Sequence, residues 1–389
     1  MINQNNSNNN NNNNNDNNNN NDDKILNNNN NNNDNENKIS KKKRNKGVFY
    51  FKHYEIHQEH CGQKVGTDAL IIAGYTSIAK FQPNPPNQTH LDLDQLVWSN
   101  QAYNYEFGKS DDIVNKPTNN NFPKYILDIG TGSGVLSIML CQRFACSGAV
   151  INSIDIDENA VKQATINIDE IYKKGACDWI KNVFVFNTPI QQFEPHVTPT
   201  APMEKNTEAL LSLKSPADSK YDLIISAPPY FPTEVKIDKF VPSMDKSRRI
   251  ARHTHTLTMD ELIGSVVRLL RPDTGIFTTV VSLPQPDNDL LAAARNQGLQ
   301  MLEDVDVTDC PGSKVVRKMY TFRLPSNREE AAAAAPPLKQ NFAIYETSMK
   351  DSTLSNHRKH SNQYKWMLND FCNHYHKEVD YEKQPPSQQ

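Results

Sequence analysis

Residues 125–135 read YILDIGTGSGV: a β-rich run that stops at Gly130, then Gly132 and Gly134, then an apolar stretch at helical spacing that starts at Val135. Glycines at a strand-to-helix junction let the backbone turn sharply and let a ligand lie against the main chain. The pattern is GxGxG. A dinucleotide fingerprint needs glycine where Val135 stands, and a phosphate-binding loop of the Walker type needs a GK[ST] that is absent here. Outward from this loop the chain alternates in kind. A helix is expected over 135–144, a strand over 150–156, and a helix over 158–172 with Val161, Ala164, Ile168 and Ile171 on one face. Strands follow over 183–186 and 221–226, a helix over 259–270, a strand over 275–283, a helix over 287–297, and late strands over 301–307 and 315–324. This βαβ order implies an α/β fold with a mostly parallel sheet and helices on both faces.

The acidic residues around the loop say what it suits. Asp128 stands at its entrance, and Asp155 ends the second strand in INSIDID, where a carboxylate can accept from both hydroxyls of a ribose. A ligand with a ribose and positive charge but no pyrophosphate fits this set. S-adenosylmethionine is therefore the expected cofactor, held at Asp128, Gly130, Gly132, Gly134 and Asp155. A second constellation, Ser226-Ala227-Pro228-Pro229-Tyr230-Phe231, follows the fourth strand of this series. Ligands of open α/β sheets bind at the carboxyl ends of strands where the strand order reverses. If the first and fourth strands flank that reversal, the glycine loop and this segment face one cleft.

The 389 residues carry 42 Lys+Arg against 45 Asp+Glu, a net charge of −3, and 37% hydrophobic residues. The low apolar content comes partly from the start of the chain, where 25 of the first 37 residues are Asn. Such a tract has almost no apolar surface to offset the entropy of ordering. Residues 1–46 are expected to be a disordered tract ending in the basic linker KKKRNK (41–46), and 47–384 a single domain with loop insertions at 81–122, 194–220 and 325–341. The longest apolar runs, such as 276–283, are far short of the roughly 20 residues of a membrane span. With no apolar block behind a charged start and six scattered cysteines, the expectation is a cytoplasmic or nuclear protein without disulfides. His53, His57, His60 and Cys61 have spacings open to zinc, but no second cysteine pair completes a site and no metal is expected.

YILDIGTGSGVLSIML, SIDIDENAV and YDLIISAPPYF resemble class I methyltransferases that modify an exocyclic or amide nitrogen. FYFKHYEIHQEHCGQKVGTDALIIAGY (49–75), ARHTHTLTMDELI (251–263) and QYKWMLNDF (363–371) narrow the resemblance to the tRNA (adenine-N6)-methyltransferases that act on valine tRNA. The resemblance implies a Rossmann-like, seven-stranded fold and methyl transfer to an adenine amino group in RNA. It assigns the transfer site to Ala227, Pro228 and Tyr230. Lys64, Asp68, Phe231 and Arg252 are expected on the substrate side. The family opens its (N/D)PPY motif with Asn or Asp, where this chain has Ala227. Many relatives also place an acidic residue after the third strand, where Pro189 stands, leaving Thr188 or Asn187 to meet the cofactor's adenine. Two alternatives stay open: a methyltransferase for another nitrogen, such as a glutamine amide, and an RNA-binding relative with weakened turnover. Six basic residues face three acidic ones over 234–252, and four face one over 357–377, where Tyr364, Trp366, Phe371 and Tyr375 are interleaved. Both stretches are candidate RNA-binding faces.

Overall fold

The computed structural model describes residues 47–79, 123–144, 148–175, 178–195, 215–228, 257–327, 336–348, 358–368 and 371–372. The Asn-rich tract with its basic linker, the stretch 81–122, most of 194–220, and Tyr230, Phe231 and Arg252 lie outside the described residues. In chain order, β1 (Val48–Tyr50) and β2 (Glu55–His57) form a small antiparallel ribbon, and α1 (Thr67–Ala79) follows. Next come β3 (Tyr125–Ile129), α2 (Val135–Arg143), β4 (Val150–Asp155), α3 (Glu158–Lys173), β5 (Val183–Asn187) and β6 (Leu223–Ser226). The chain continues through α4 (Met259–Leu269), β7 (Ile276–Ser282), α5 (Gln285–Asn296), β8 (Gln300–Thr308), β9 (Val315–Arg323), β10 (Leu338–Ala343) and α6 (Asn362–Leu368).

The main sheet runs β10-β8-β9-β7-β6-β3-β4-β5. Strands β3 to β7 run parallel to one another, β9 is antiparallel to β7 and β8, and β10 pairs parallel to β8. Alternate side chains enter opposite layers, as the pleat requires. Ile126, Ile151 and Ile225 pack with Ile72, Ile138 and Ile168 on one face. Leu127, Ile154 and Ile224 pack with Leu262, Val266 and Leu290 on the other. Burial on both faces is why β3 and β6 read as nearly unbroken apolar runs. Helix α3 starts at Asp157, whose side chain accepts from the Asn159 amide, and α4 starts in a capping box between Thr258 and Glu261. Among the described residues, no helix is long and apolar enough to cross a membrane.

Three features correct the sequence reading. An eighth strand, β10, adds to the expected seven, so the presumed insertion at 325–341 ends inside the sheet. Its sequence LKQNFA buries only Phe342 fully, and so polar an edge strand looks like loop. β1, β2, α1 and α6 are the other elements that spacing did not reveal. Lastly, two of the aromatics interleaved with basic residues near the C-terminus, Tyr364 and Phe371, are core. Lys365 between them is buried too and pairs with Glu346 at 3.3 Å, and Arg358 pairs with Asp309. The Trp366 side chain and Tyr375 lie outside the described residues.

α6 is seated on α1 at Gly74, where an added Cβ would lie 2.6 Å from Met367 Cγ and 3.2 Å from the Met367 carbonyl oxygen. Gly74→Ala should therefore push the two helices apart and cost about 1–3 kcal/mol, read as a lower midpoint in urea unfolding. An unchanged midpoint would mean that the helices are not held this closely.

Candidate cofactor and transfer site

Parallel strands β3 and β6 are neighbours at the point where the strand order reverses, with Ile129 opposite Ser226. The Ser226 hydroxyl donates to the Ile129 carbonyl at 3.1 Å, joining the two strand ends. The glycine loop leaves β3 and the Ala227-Pro228 segment leaves β6, so both line one cleft at the carboxyl edge of the sheet.

The loop passes through the left-handed region at each glycine: φ is 78° at Gly130, 57° at Gly132 and 82° at Gly134. Only glycine takes this conformation without strain. A Cβ on Gly130 or Gly132 would meet nothing within 4 Å, so both leave open cradle in the cleft wall. A Cβ on Gly134 would meet the Ala164 Cβ at 3.3 Å, so this glycine serves the packing of α2 against α3. Two amides, those of Gly130 and Thr131, donate to the Ile154 carbonyl at 2.9 and 3.0 Å and tie the loop to β4.

Asp155 ends β4 with its carboxylate turned to the loop. One oxygen accepts from the Gly132 amide and the other from the Asp157 amide, each at 2.9 Å. A carboxylate has about four acceptor positions, so capacity remains for ligand hydroxyls. Burial pushes the Asp155 carboxyl up to about 6, against the backbone donors that favour its charge. Asp128 differs from the sequence expectation. It is fully buried beneath the loop and does not line the cleft, and it accepts from Thr131 at 2.8 Å and Ser137 at 2.7 Å. Its second oxygen is buried without a hydrogen bond, and burial raises this carboxyl to about 6 as well. Its reach to a cofactor is therefore through the loop and its charge.

Of the other residues singled out from the sequence, Lys64, Asp68, Thr188, Ala227 and Pro228 line the cleft. Lys64 donates to the Gln58 carbonyl and Asp68 is ion-paired with Arg317, so neither side chain hangs free over the opening. After β5 the Asn187 side chain, through Nδ2, donates to the Asp155 carbonyl at 3.0 Å, while Thr188 and Pro189 line the cleft. The sequence reading missed Ile156, which is 42% exposed although apolar and lines the cleft next to Asp155. An apolar side chain left open there offers a face to a flat ring. Cys61, also in the wall, is unreactive by environment, with burial pushing its thiol up to about 12. Among the described residues, Glu55, His57 and Glu170 form the one group of metal-type donors, and Glu55 is already paired with Lys174 at 2.8 Å.

S-adenosylmethionine fits these residues. The open cradle at Gly130 and Gly132 admits a ligand against the backbone, Asp155 offers acceptors for a ribose, and the carboxylates favour a cation. α2 begins at Gly134 without a side-chain cap, leaving helix-end amides for an anionic group. The comparisons with known proteins agree. A family model described as ribosomal protein L11 methyltransferase (PrmA) matches residues 114–176. A tRNA1(Val) (adenine(37)-N6)-methyltransferase from Phocaeicola vulgatus is 28% identical over 275 residues, covering 71% of this chain and 83% of its own. Its namesake from Pseudoalteromonas atlantica is 26% identical over 331 residues, covering 83% and 97%. The chain is an S-adenosylmethionine-dependent methyltransferase. A crystal structure of a predicted O-methyltransferase from Agrobacterium tumefaciens aligns over 78% of the methyltransferase described here and 96% of its own chain, with 13% identity and a TM-score of 0.42.

The raised carboxyls give the methyltransferase a pH signature. A cationic cofactor binds best when Asp155 and Asp128 are ionised, which holds above about pH 6. Binding should therefore weaken as the pH falls through that value, by about tenfold between pH 7.5 and 5.5 in calorimetric titrations with S-adenosylmethionine. A dissociation constant independent of pH across this window would contradict the assignment.

Proposed function

We propose that this methyltransferase transfers a methyl group to the N6 amino group of an adenine in tRNA. The observation that carries the proposal is the meeting of the Ala227-Pro228 segment with the glycine loop in one cleft, at the ends of β6 and β3. Relatives named for this reaction cover most of the chain and support the choice of substrate. The match to the L11 methyltransferase model stops at residue 176, before β6, and so concerns the cofactor half.

S-adenosylmethionine supplies a methyl group activated by its sulfonium. The chain must present a nitrogen to it. The adenine amino nitrogen is a poor nucleophile because its lone pair is delocalised into the ring, and acceptors for its two hydrogens localise that pair. The Pro228 carbonyl is one acceptor in this reading. The Ala227 side chain accepts nothing, so the second hydrogen lacks the partner that the family's Asn or Asp supplies. Tyr230 is assigned the stacking role on the base, which must leave its own stack to enter the cleft. Phe231 and Arg252 keep their assignment beside it. Ala227 also favours the second reading, an RNA-binding relative with slow turnover. A cytoplasmic or nuclear location goes with either.

Mass spectrometry of tRNA from cells lacking the protein should show loss of an N6-methyladenosine; unchanged tRNA would exclude this substrate. Ala227→Asn restores the missing acceptor and should raise the methylation rate by up to about 100-fold, the scale of one preorganised polar group. A lower rate would mean that the site uses another geometry.

A further inference from the structure

The cleft has a wall that the glycine loop does not make. Residues 61–69, between β2 and the start of α1, form it. What seats this wall is a pair of buried amides on α3, at the helical spacing i, i+4 that puts them on one face. Gln163 accepts from the His60 amide at 3.0 Å. Asn167, with 0% of its surface exposed, accepts from the His57 amide at 2.9 Å and donates to the His57 carbonyl at 2.9 Å and to the Ser133 carbonyl at 2.8 Å. A carboxamide has two N–H donors and one carbonyl acceptor, and Asn167 uses all of them. Its contacts to His57 imitate a strand partner, and its third bond reaches the glycine loop.

Asn in a helix interior is a poor helix former, and burying its amide costs free energy unless every polar atom is paired. The helix gains nothing from Asn167 that leucine would not supply. Ile56 also packs in the core with Ile168 and Ile171 of α3, a non-directional contact, and the other polar ties, His57 to Glu170 at 3.2 Å and Glu55 to Lys174 beyond the helix end at 2.8 Å, are partly exposed and contribute little. We infer that Asn167 is a positioning residue of the cofactor site, whose carboxamide clamps the root of the 61–69 wall, at His57, to the glycine loop at Ser133. This inference rests on the cofactor assignment above. α3 begins at Glu158, directly after Asp157, whose backbone amide donates to the Asp155 carboxylate at 2.9 Å, so one helix is tied to the ribose acceptor, the loop and the wall together.

The test uses the full chain and four proteins: wild type, Asn167→Leu, Asn167→Asp and Gln163→Ala. Hydrogen exchange without ligand reads the clamp directly, and calorimetric titration with S-adenosylmethionine reads its consequence. In Asn167→Leu the amides of 57–66 should exchange at least about 10-fold faster, with β3 to β6 unchanged, and the cofactor should bind about 30-fold more weakly, the loss of two to three hydrogen bonds. Asn167→Asp keeps the acceptor for His57 but loses both donors, and should fall close to the leucine variant. The Michaelis constant for the cofactor should rise while kcat at saturating cofactor stays within about twofold, a split that general destabilisation would not produce. If Asn167→Leu does not fold, Gln163→Ala, which frees only His60, should show faster exchange at that end and about threefold weaker binding. A folded variant with wild-type exchange over 57–66, or with a dissociation constant within error of wild type, overturns the inference. Failure of the wild type to bind the cofactor would instead defeat the cofactor assignment, and the exchange data alone would then decide the clamp.

Discussion

The site depends on one hydrogen bond between a strand end and a loop: the Asp155 carboxylate accepting the Gly132 amide at 2.9 Å. The loop spends three residues in the left-handed region, and such a path has no regular ladder to hold it. Asp155 holds it from the side of β4 and the fully buried Asp128 holds it from below, through Thr131 and Ser137. Both carboxyls are raised to about 6 because burial opposes their charge. A bound cation would relieve that opposition, so the features that shape the loop also favour a positively charged ligand.

The rest of the machinery follows from sheet topology. β3 and β6 are parallel neighbours although α2, β4, α3 and β5 separate them in the chain, and this places Ala227 and Pro228 next to the loop. The wall from 61 to 69 closes the third side, seated on α3 by Asn167 and Gln163 and backed by α1, which in turn carries α6. The C-terminal segment thus acts as a buttress behind the cofactor wall. In the proposed reaction the chemistry is thin at Ala227, which lines the cleft with a methyl group where an acceptor would sharpen the nucleophile.

Much of this was legible in the sequence because the signals were local. GxGxG after YILDI, an acid at the end of the next strand, and a helix whose apolar residues recur at Val161, Ala164, Ile168 and Ile171 each state their own geometry, and the central elements lie where those patterns put them. The misreadings involve long-range partners. Asp128 looked like a direct ligand for a cation, but it is fully buried and accepts instead from Thr131 and from Ser137 in the next helix. Tyr364 and Phe371 looked like part of an RNA-binding face, because nothing in their spacing tells that they are buried in the core with Phe342 and residues of α1. Ile156 and Asn167 were overlooked for the same reason: an exposed isoleucine and a buried asparagine are recognised by surroundings, which pattern alone does not carry.

The most direct test of the account is a calorimetric titration of S-adenosylmethionine into the full chain and into Asp155→Ala at pH 7.5. The account predicts one site in the wild type and at least about 100-fold weaker binding in the variant, since the ribose acceptor and the loop's anchor are lost together. Equal affinity in the two proteins, or no binding to the wild type, would contradict it.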